Sequence, residues 1–376
     1  MTIFPREIEG KIIERLFKNR AILIFGPRQA GKTTLSKKIL ESFGNEGGYL
    51  NCELAQVRKS FILGRPEDLY TLIAGKKIVV FDEAQTIENI GAILKTFIDV
   101  YPDVQIIATG SSSFDLANKI NEPLTGRAFE FILLPLSLSE IKKTISLDKQ
   151  TFMECLRLGT YPAIVGEKDS AIKEDILQNL ATNYLYKDIF MFESIKSPKV
   201  LEDLLKALSL QIGNMVSINE LSRLLGISRA TVAKYLRLLE QAFVIFRLPS
   251  FSRNPRNELK KAFKIFFFDI GVRNAIIDNI SSIESRSDRG AIFENMMIVE
   301  RMKRGLLETM PPKMAFWRTR NGLEIDLIED KNGVISAYEY KWSSDNFSFK
   351  EFLKKYPEAS GKLINLETVL NDDKII

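Results

Sequence analysis

Gly26, Pro27, Arg28, Gln29, Ala30, Gly31, Lys32 and Thr33 fit the spacing G-x-x-x-x-G-K-(S/T), and a further hydroxyl, Thr34, follows. Glycines let backbone amides approach phosphate oxygens, Lys32 can reach the outer phosphates, and the Thr33 hydroxyl suits a Mg²⁺ ion. The loop follows the apolar run AILIF and opens the helical pattern KTTLSKKIL, the strand-loop-helix setting such chemistry requires. A second apolar run, IVVF from Ile78, ends in Asp82 and Glu83. There an aspartate can join the Mg²⁺ shell, and the neighbouring glutamate can polarise an attacking water. Thr109, Gly110 and Ser111 end a third run, where a polar side chain either positions water or belongs to an ordinary serine-rich loop. Arg127 precedes a fourth run and reads either as a finger offered to a neighbouring subunit's phosphate site or as a surface arginine.

A second group of reactive residue types lies towards the other end. Glu294 sits near the start of the helical pattern GAIFENMMIVERMKR, Asp326 lies in LEIDLIE, and Glu339 and Lys341 alternate in YEYKW. Strand alternation puts Glu339 and Lys341 on one face, with Tyr338, Tyr340 and Trp342 on the other. A hairpin closing at Asn332-Gly333 would bring Asp326 beside them. Two or three of these carboxylates are expected to hold Mg²⁺ or Mn²⁺, with Lys341 orienting or deprotonating water and either Glu294 or Glu324 completing the set. A solvated, charge-paired face is the plainer alternative. Trp317, Arg318 and Arg320 on the preceding run could stack on or pair with a nucleic-acid backbone, or simply be surface residues.

The elements that must carry these groups follow from periodicity. From Ala21 to about Leu134, apolar runs alternate with helical patterns, which indicates a parallel sheet covered on both faces. From about Ser146 to Phe192 the pattern is helical and reads as a lid or connector. Ser217 to Phe246 reads as two short helices with a turn at Gly226 and Ser228 as a cap, followed by an apolar run resembling a wing. The first turns of the second helix nominate Arg229, Thr231, Lys234 and Arg237 for a major groove. Residues 196–261 hold twelve lysines and arginines against five acids, an excess of +7 in a chain of net charge +5. Phosphate binding fits that local excess, although such helix pairs also serve as lids and dimer surfaces. From Pro311 onward, runs separated by Asn321-Gly322 and Asn332-Gly333 predict a three-stranded antiparallel meander.

Composition narrows the chemistry. The 376 residues contain no histidine, which excludes Ser-His-Asp and Cys-His relays and any histidine-ligated zinc or iron. Cys52 and Cys155 form no CxxC pair, so neither a disulfide framework nor a thiolate metal site is expected. No apolar run approaches a membrane span and the first residues lack a signal-peptide pattern, so a soluble cytoplasmic protein with no membrane partner is expected.

GPRQAGKTT, FDEAQ, ATGSSS, LTGR, LPLS and GTYP, in this order, resemble the AAA-superfamily ATPases of bacteria and archaea that carry a C-terminal nuclease-like domain. The set Glu294, Asp326, Glu339 and Lys341 resembles a PD-(D/E)XK nuclease site. The resemblance implies ATP as ligand, hydrolysis by Lys32, Thr33, Asp82 and Glu83, and a possible homo-oligomer. The expected architecture is α/β: a P-loop parallel-sheet ATPase core over 1–145, a helical lid or connector over 146–195, a winged helix-turn-helix over 196–261, and a small α+β restriction-endonuclease-like domain over 262–376. The expected function is ATP hydrolysis coupled to DNA engagement, with a Mg²⁺- or Mn²⁺-dependent nuclease-like domain gated by ATP state. The alternative is a nucleotide-regulated DNA- or protein-binding switch whose last domain docks without cutting.

Overall fold

Apolar runs rich in Ile, Val and Phe pair into a parallel sheet when helices cover both of its faces. The computed structural model describes residues 2–61, 66–73, 75–110, 124, 126–184, 197–252, 263–319, 321–344 and 346–371. These fall into two compact units, one of Pro5–Pro135 with Gln241–Phe243, the other of Met1–Phe4, Leu136–Glu240 and Val244–Ile376.

In the first unit, β1 (Ala21–Phe25), β2 (Gly47–Asn51), β3 (Ile78–Asp82), β4 (Gln105–Gly110) and β5 (Ala128–Ile132) form an all-parallel sheet in the order β2-β3-β4-β1-β5. β1, β3 and β4 are buried along their whole length, as central strands should be. The phosphate-loop helix α1 (Lys32–Glu41) follows β1, and α2 (Ile90–Val100) lays Ile93, Leu94 and Phe97 into the core, the Phe97 ring 5.5 Å from that of Phe81.

In the second unit, α3 (Pro198–Leu210), β6 (Met215–Val216), α4 (Ile218–Leu225), α5 (Arg229–Gln241), β7 (Ile245–Pro249) and β8 (Phe263–Phe267) follow in order. The Ser217 hydroxyl accepts from the Glu220 amide to start α4, and Gly226 ends it at φ 65°, a left-handed conformation that glycine adopts without strain. β8 is the central strand of an antiparallel sheet ordered β6-β8-β7. The sequence division at 261 separates β8 from β6 and β7, but backbone ladders on both sides of FKIFF join it to them.

Beyond β8 come α6 (Ile270–Ile276), α7 (Arg289–Leu306), β9 (Lys313–Arg318), β10 (Glu324–Lys331), β11 (Val334–Lys341), α8 (Lys350–Lys355) and β12 (Ser360–Asn365). β9, β10 and β11 make the expected antiparallel meander, and β12 adds parallel to β11, giving the order β12-β11-β10-β9. The register of β10 against β9 shifts between Ile325 and Ile328, so that both reach the same core as Trp317, Ile335 and Phe352. Such a one-residue bulge re-aims the side chains within it, here Asp326 and Leu327.

Leu136 and Ser137 of LPLS, and the GTYP motif, make structural contacts in this unit. Ser137 and Glu140 form a reciprocal cap, and the Leu138 amide donates to Glu300. Lys303 donates to the Leu136 carbonyl and pairs with Glu300 at 2.8 Å. A Cβ at Gly159 would lie 2.1 Å from Asp269, whose carboxylate accepts from the Thr160 amide. Among the described residues, no helix is long and apolar enough to cross a membrane.

Candidate functional site

The loop between β1 and α1 is shaped by close approach. Gly26 has φ 153°, and a Cβ there would meet the Leu133 carbonyl oxygen at 2.0 Å. Gly31 caps α1 in the left-handed region at φ 99°. Buried Lys32 sends its ammonium back across the loop to the carbonyls of Gly26 and Pro27, at 2.8 and 2.9 Å. Pro27 and Ala30 are buried, Arg28 and Thr33 half-buried, and Gln29 and Thr34 exposed. Arg6, which sequence reasoning passed over, braces the loop by donating to the carbonyls of Ala30 and Leu134, both at 2.6 Å. It stands 24 and 128 residues from those partners and carries no motif of its own.

Asp82, at the end of β3, sits directly beside this loop. Its Oδ2 accepts from the Thr33 hydroxyl at 2.7 Å and from the Tyr49 phenol at 2.5 Å, and its Oδ1 accepts from Thr109 at 2.5 Å. Burial, reinforced by the hydrogen bond to Asp82, raises the Tyr49 pKa well above the phenol range, so it stays a donor. Thr109 also accepts from the Glu83 amide at 3.1 Å, so its hydroxyl ties the ends of β3 and β4 together. Glu83 adopts φ 53° and its carboxylate accepts from Gln85 at 2.5 Å. A threonine hydroxyl and an aspartate oxygen side by side at a strand edge suit a hard divalent cation such as Mg²⁺. Ser111 lies outside the described residues. Arg127 immediately precedes β5 at the amino edge of the sheet, roughly 20 Å along the strand from the phosphate loop. It pairs there with Asp99 at 3.1 Å.

The second predicted group also comes together. Asp326 Oδ2 accepts from the Tyr340 amide at 2.9 Å, Glu339 faces the Asp326 amide at 3.4 Å, and Lys341 pairs with Glu339 at 2.5 Å. At the centre of the group, however, stands a residue that no motif marks. Lys264 of β8, only 2% exposed, places its ammonium 3.0 Å from Glu294, 2.6 Å from Glu324 and 3.9 Å from Asp326. Burial alone would lower the Lys264 pKa, but the three carboxylates outweigh it and hold the side chain charged. Burial and the charge of Asp326 push Glu294 up to about 8 against the pull of Lys264, and likewise push Glu339 up to about 7 against that of Lys341. Asp326 is raised as well, chiefly by burial. Among the described residues, no three acidic, cysteine or histidine side chains stand ready to hold a metal ion. Of the expected Mg²⁺ or Mn²⁺ set, Glu294 and Asp326 face the Lys264 ammonium and Glu339 faces that of Lys341, so in this arrangement the acids are paired with lysines. The missed signal was a lone lysine in the apolar run FKIFFF, where an unpaired charge would be costly to bury.

Of the residues nominated on α5, Arg229 and Arg237 are exposed, while Thr231 and Lys234 are half-buried. The Ser228 hydroxyl accepts from the Thr231 amide at 3.1 Å, and the two hydroxyls lie 2.9 Å apart, so Thr231 takes part in its own helix cap. Trp317 points into the core, Arg318 pairs with Glu324, and Arg320 lies outside the described residues.

Residues 18–142 match the family described as an AAA domain, and with the loop geometry above they define a nucleotide-binding P-loop ATPase domain. Residues 149–283 and 289–374 match two families, each described as a domain of unknown function. An uncharacterized protein of Methanocaldococcus jannaschii is 26% identical across 99% of this chain and 86% of its own length. One from Mycobacterium tuberculosis is 26% identical across 92% of this chain and 75% of its own. Among solved structures, a Pif1 helicase from Candida albicans aligns with 48% of this chain and 55% of its own, at 13% identity and a TM-score of 0.26, too slight a likeness to define a shared overall fold.

Proposed function

We propose that this chain is an ATP-hydrolysing protein that engages DNA through α4 and α5, with nucleotide state controlling that engagement. The observation that carries the ATPase half is the contact of Thr33 with Asp82 beside the Lys32 loop. In this reading the backbone N–H groups of residues 28–34 and the Lys32 ammonium grip the phosphates, Thr33 and Asp82 would hold Mg²⁺, and Glu83 orients the attacking water. Mg²⁺ supplies charge neutralisation between the outer phosphates when bound. Arg127, on the opposite edge of the sheet, could act only on another molecule's site, so its role as a finger belongs to a homo-oligomer.

The DNA half is supported by an element order of helix, strand, helix, helix, strand, strand with the last strand central, which is the plan of a winged helix. The +7 of residues 196–261 and the exposure of Arg229 and Arg237 agree with phosphate contact. The domain division we favour keeps the ATPase core at 1–145 and the connector at 146–195, and carries the winged helix on through β8. The order of α7, the meander, α8 and β12 supports reading the last part as a PD-(D/E)XK-like domain.

Phosphate release from ATP tests the first half: Lys32→Ala should reduce turnover to background, and turnover that survives would remove the loop from the reaction. Fluorescence anisotropy with a labelled duplex tests the second. Replacing Arg229 and Arg237 with alanine should weaken binding and reduce the salt slope by about 1 for each phosphate no longer neutralised. Unchanged binding would reassign α4 and α5 to protein contacts.

A further inference from the structure

We propose that Lys264 is the resident cation of the C-terminal carboxylate cluster, standing where a divalent metal would have to sit, so that the cluster fastens β8 to α7 and β10 without metal. Its ammonium lies within 3.0 Å of carboxylates from both neighbouring elements, Glu294 of α7 and Glu324 of β10, and within 3.9 Å of Asp326. A Mg²⁺ ion needs the same oxygens at about 2.0–2.1 Å, and a divalent charge that close to an ammonium is strongly repelled in a site of low polarity.

The backbone that carries the lysine is held on both sides. β8 is hydrogen-bonded on both edges, with Lys264 in register with Met215 on one side and Leu248 on the other. Further along β8, the Asn295 side chain of α7 clips the strand by accepting from the Phe267 amide at 2.8 Å and donating to its carbonyl at 2.9 Å. The space beside Glu294 is closed too, since a Cβ on Gly213 would already approach its Oε2 to 3.0 Å.

Several of the other carboxylate oxygens are engaged elsewhere. Asp326 Oδ2 takes the Tyr340 amide, Glu324 Oε2 takes Arg318 at 3.1 Å, and Glu339 takes Lys341 and the Asp326 amide. A sheet of nuclease-like plan thus has its acids spent on an internal ion-pair joint. The joint ties the central strand of the three-stranded sheet to the helix and strand that carry the acids. The proposal is independent of the ATPase and DNA reading above, which stands or falls on Lys32, Arg229 and Arg237.

The test is Mn²⁺ titration of the nucleotide-free full-length chain, followed by the electron paramagnetic resonance signal of the free ion, in an Asp82→Asn background that removes the phosphate-loop carboxylate. We expect the chain with an intact cluster to bind no more Mn²⁺ than one that also carries Asp326→Asn and Glu339→Gln. Lys264→Met should gain one equivalent of Mn²⁺, lost again on adding Asp326→Asn. One equivalent bound by the intact cluster and abolished by the two carboxamide substitutions would overturn the proposal, as would a folded Lys264→Met chain that gains none. If Lys264→Met does not fold, the comparison between intact and carboxamide clusters decides alone.

Discussion

Asp82 shows how much of a phosphate site depends on hydroxyls that no motif names. Thr33 comes with the loop pattern, but Tyr49 and Thr109 reach the same carboxylate from strands 33 and 27 residues away. Thr109 therefore holds two neighbours at once, the Asp82 carboxylate and the Glu83 backbone. Removing its hydroxyl while keeping its shape, in Thr109→Val, should lower kcat for ATP hydrolysis about 10- to 100-fold, the usual loss when a partner of a ligating group is deleted. The KM for ATP should change less, and Thr109→Ser should recover most of the rate. Steady-state kinetics of the three proteins check this, and an unaltered Thr109→Val would make the contact incidental. Lys32 and Thr33 were legible as candidates from the loop spacing, and Asp82 and Glu83 from their place at the end of an apolar run. Arg6, Tyr49 and Lys264 were not, because only tertiary pairing brings them to their partners.

Elements were read best where periodicity is local. The run AILIF, the helix capped at Ser228, and the hairpin at Asn332-Gly333 each signal themselves within a few residues. Two features depended on distant partners. β12 joins the sheet through parallel pairing with β11, and β8 belongs with β6 and β7 although a basic stretch separates it from β7. The bulge at Asp326 was also invisible to simple alternation, yet it lets Ile325 and Ile328 share one core. Between elements, the tie most open to test is Asn295, which is 1% exposed and satisfies both backbone groups of Phe267. Asn295→Leu keeps the volume but strands a buried amide and a buried carbonyl, at about 1–3 kcal/mol each. The midpoint of urea unfolding, followed by tryptophan fluorescence since Trp317 and Trp342 both lie in this unit, should fall accordingly. A midpoint within error of the parent would mean that those groups find other partners.

At the scale of the molecule, charge is unevenly spent: the 196–261 segment carries +7 of a net +5, while the C-terminal unit gathers Glu294, Glu324, Asp326 and Glu339 around Lys264 and Lys341. Arg318 neutralises part of Glu324 at the exposed rim, but the buried centre retains more negative than positive groups. Burial first, and the charge of Asp326 second, favour the protonated form there and push Glu294 and Glu339 up to about 8 and about 7 from an ordinary 4.5. The consequence for stability has a definite sign. Between about pH 4.5 and 8 the folded chain binds more protons at these two sites than the unfolded chain, so unfolding releases protons and stability falls as pH rises through that window. The C-terminal unit should therefore melt at a lower temperature at about pH 8.5 than at about pH 6. A Glu294→Gln, Glu339→Gln chain, which cannot take up these protons, should show a much flatter dependence. Calorimetric scans at several pH values with ionic strength held constant measure both curves. If melting temperature rises across that interval and the two carboxamides leave the curve unchanged, the acids are fully ionised in the fold, and Lys264 and Lys341 compensate them completely.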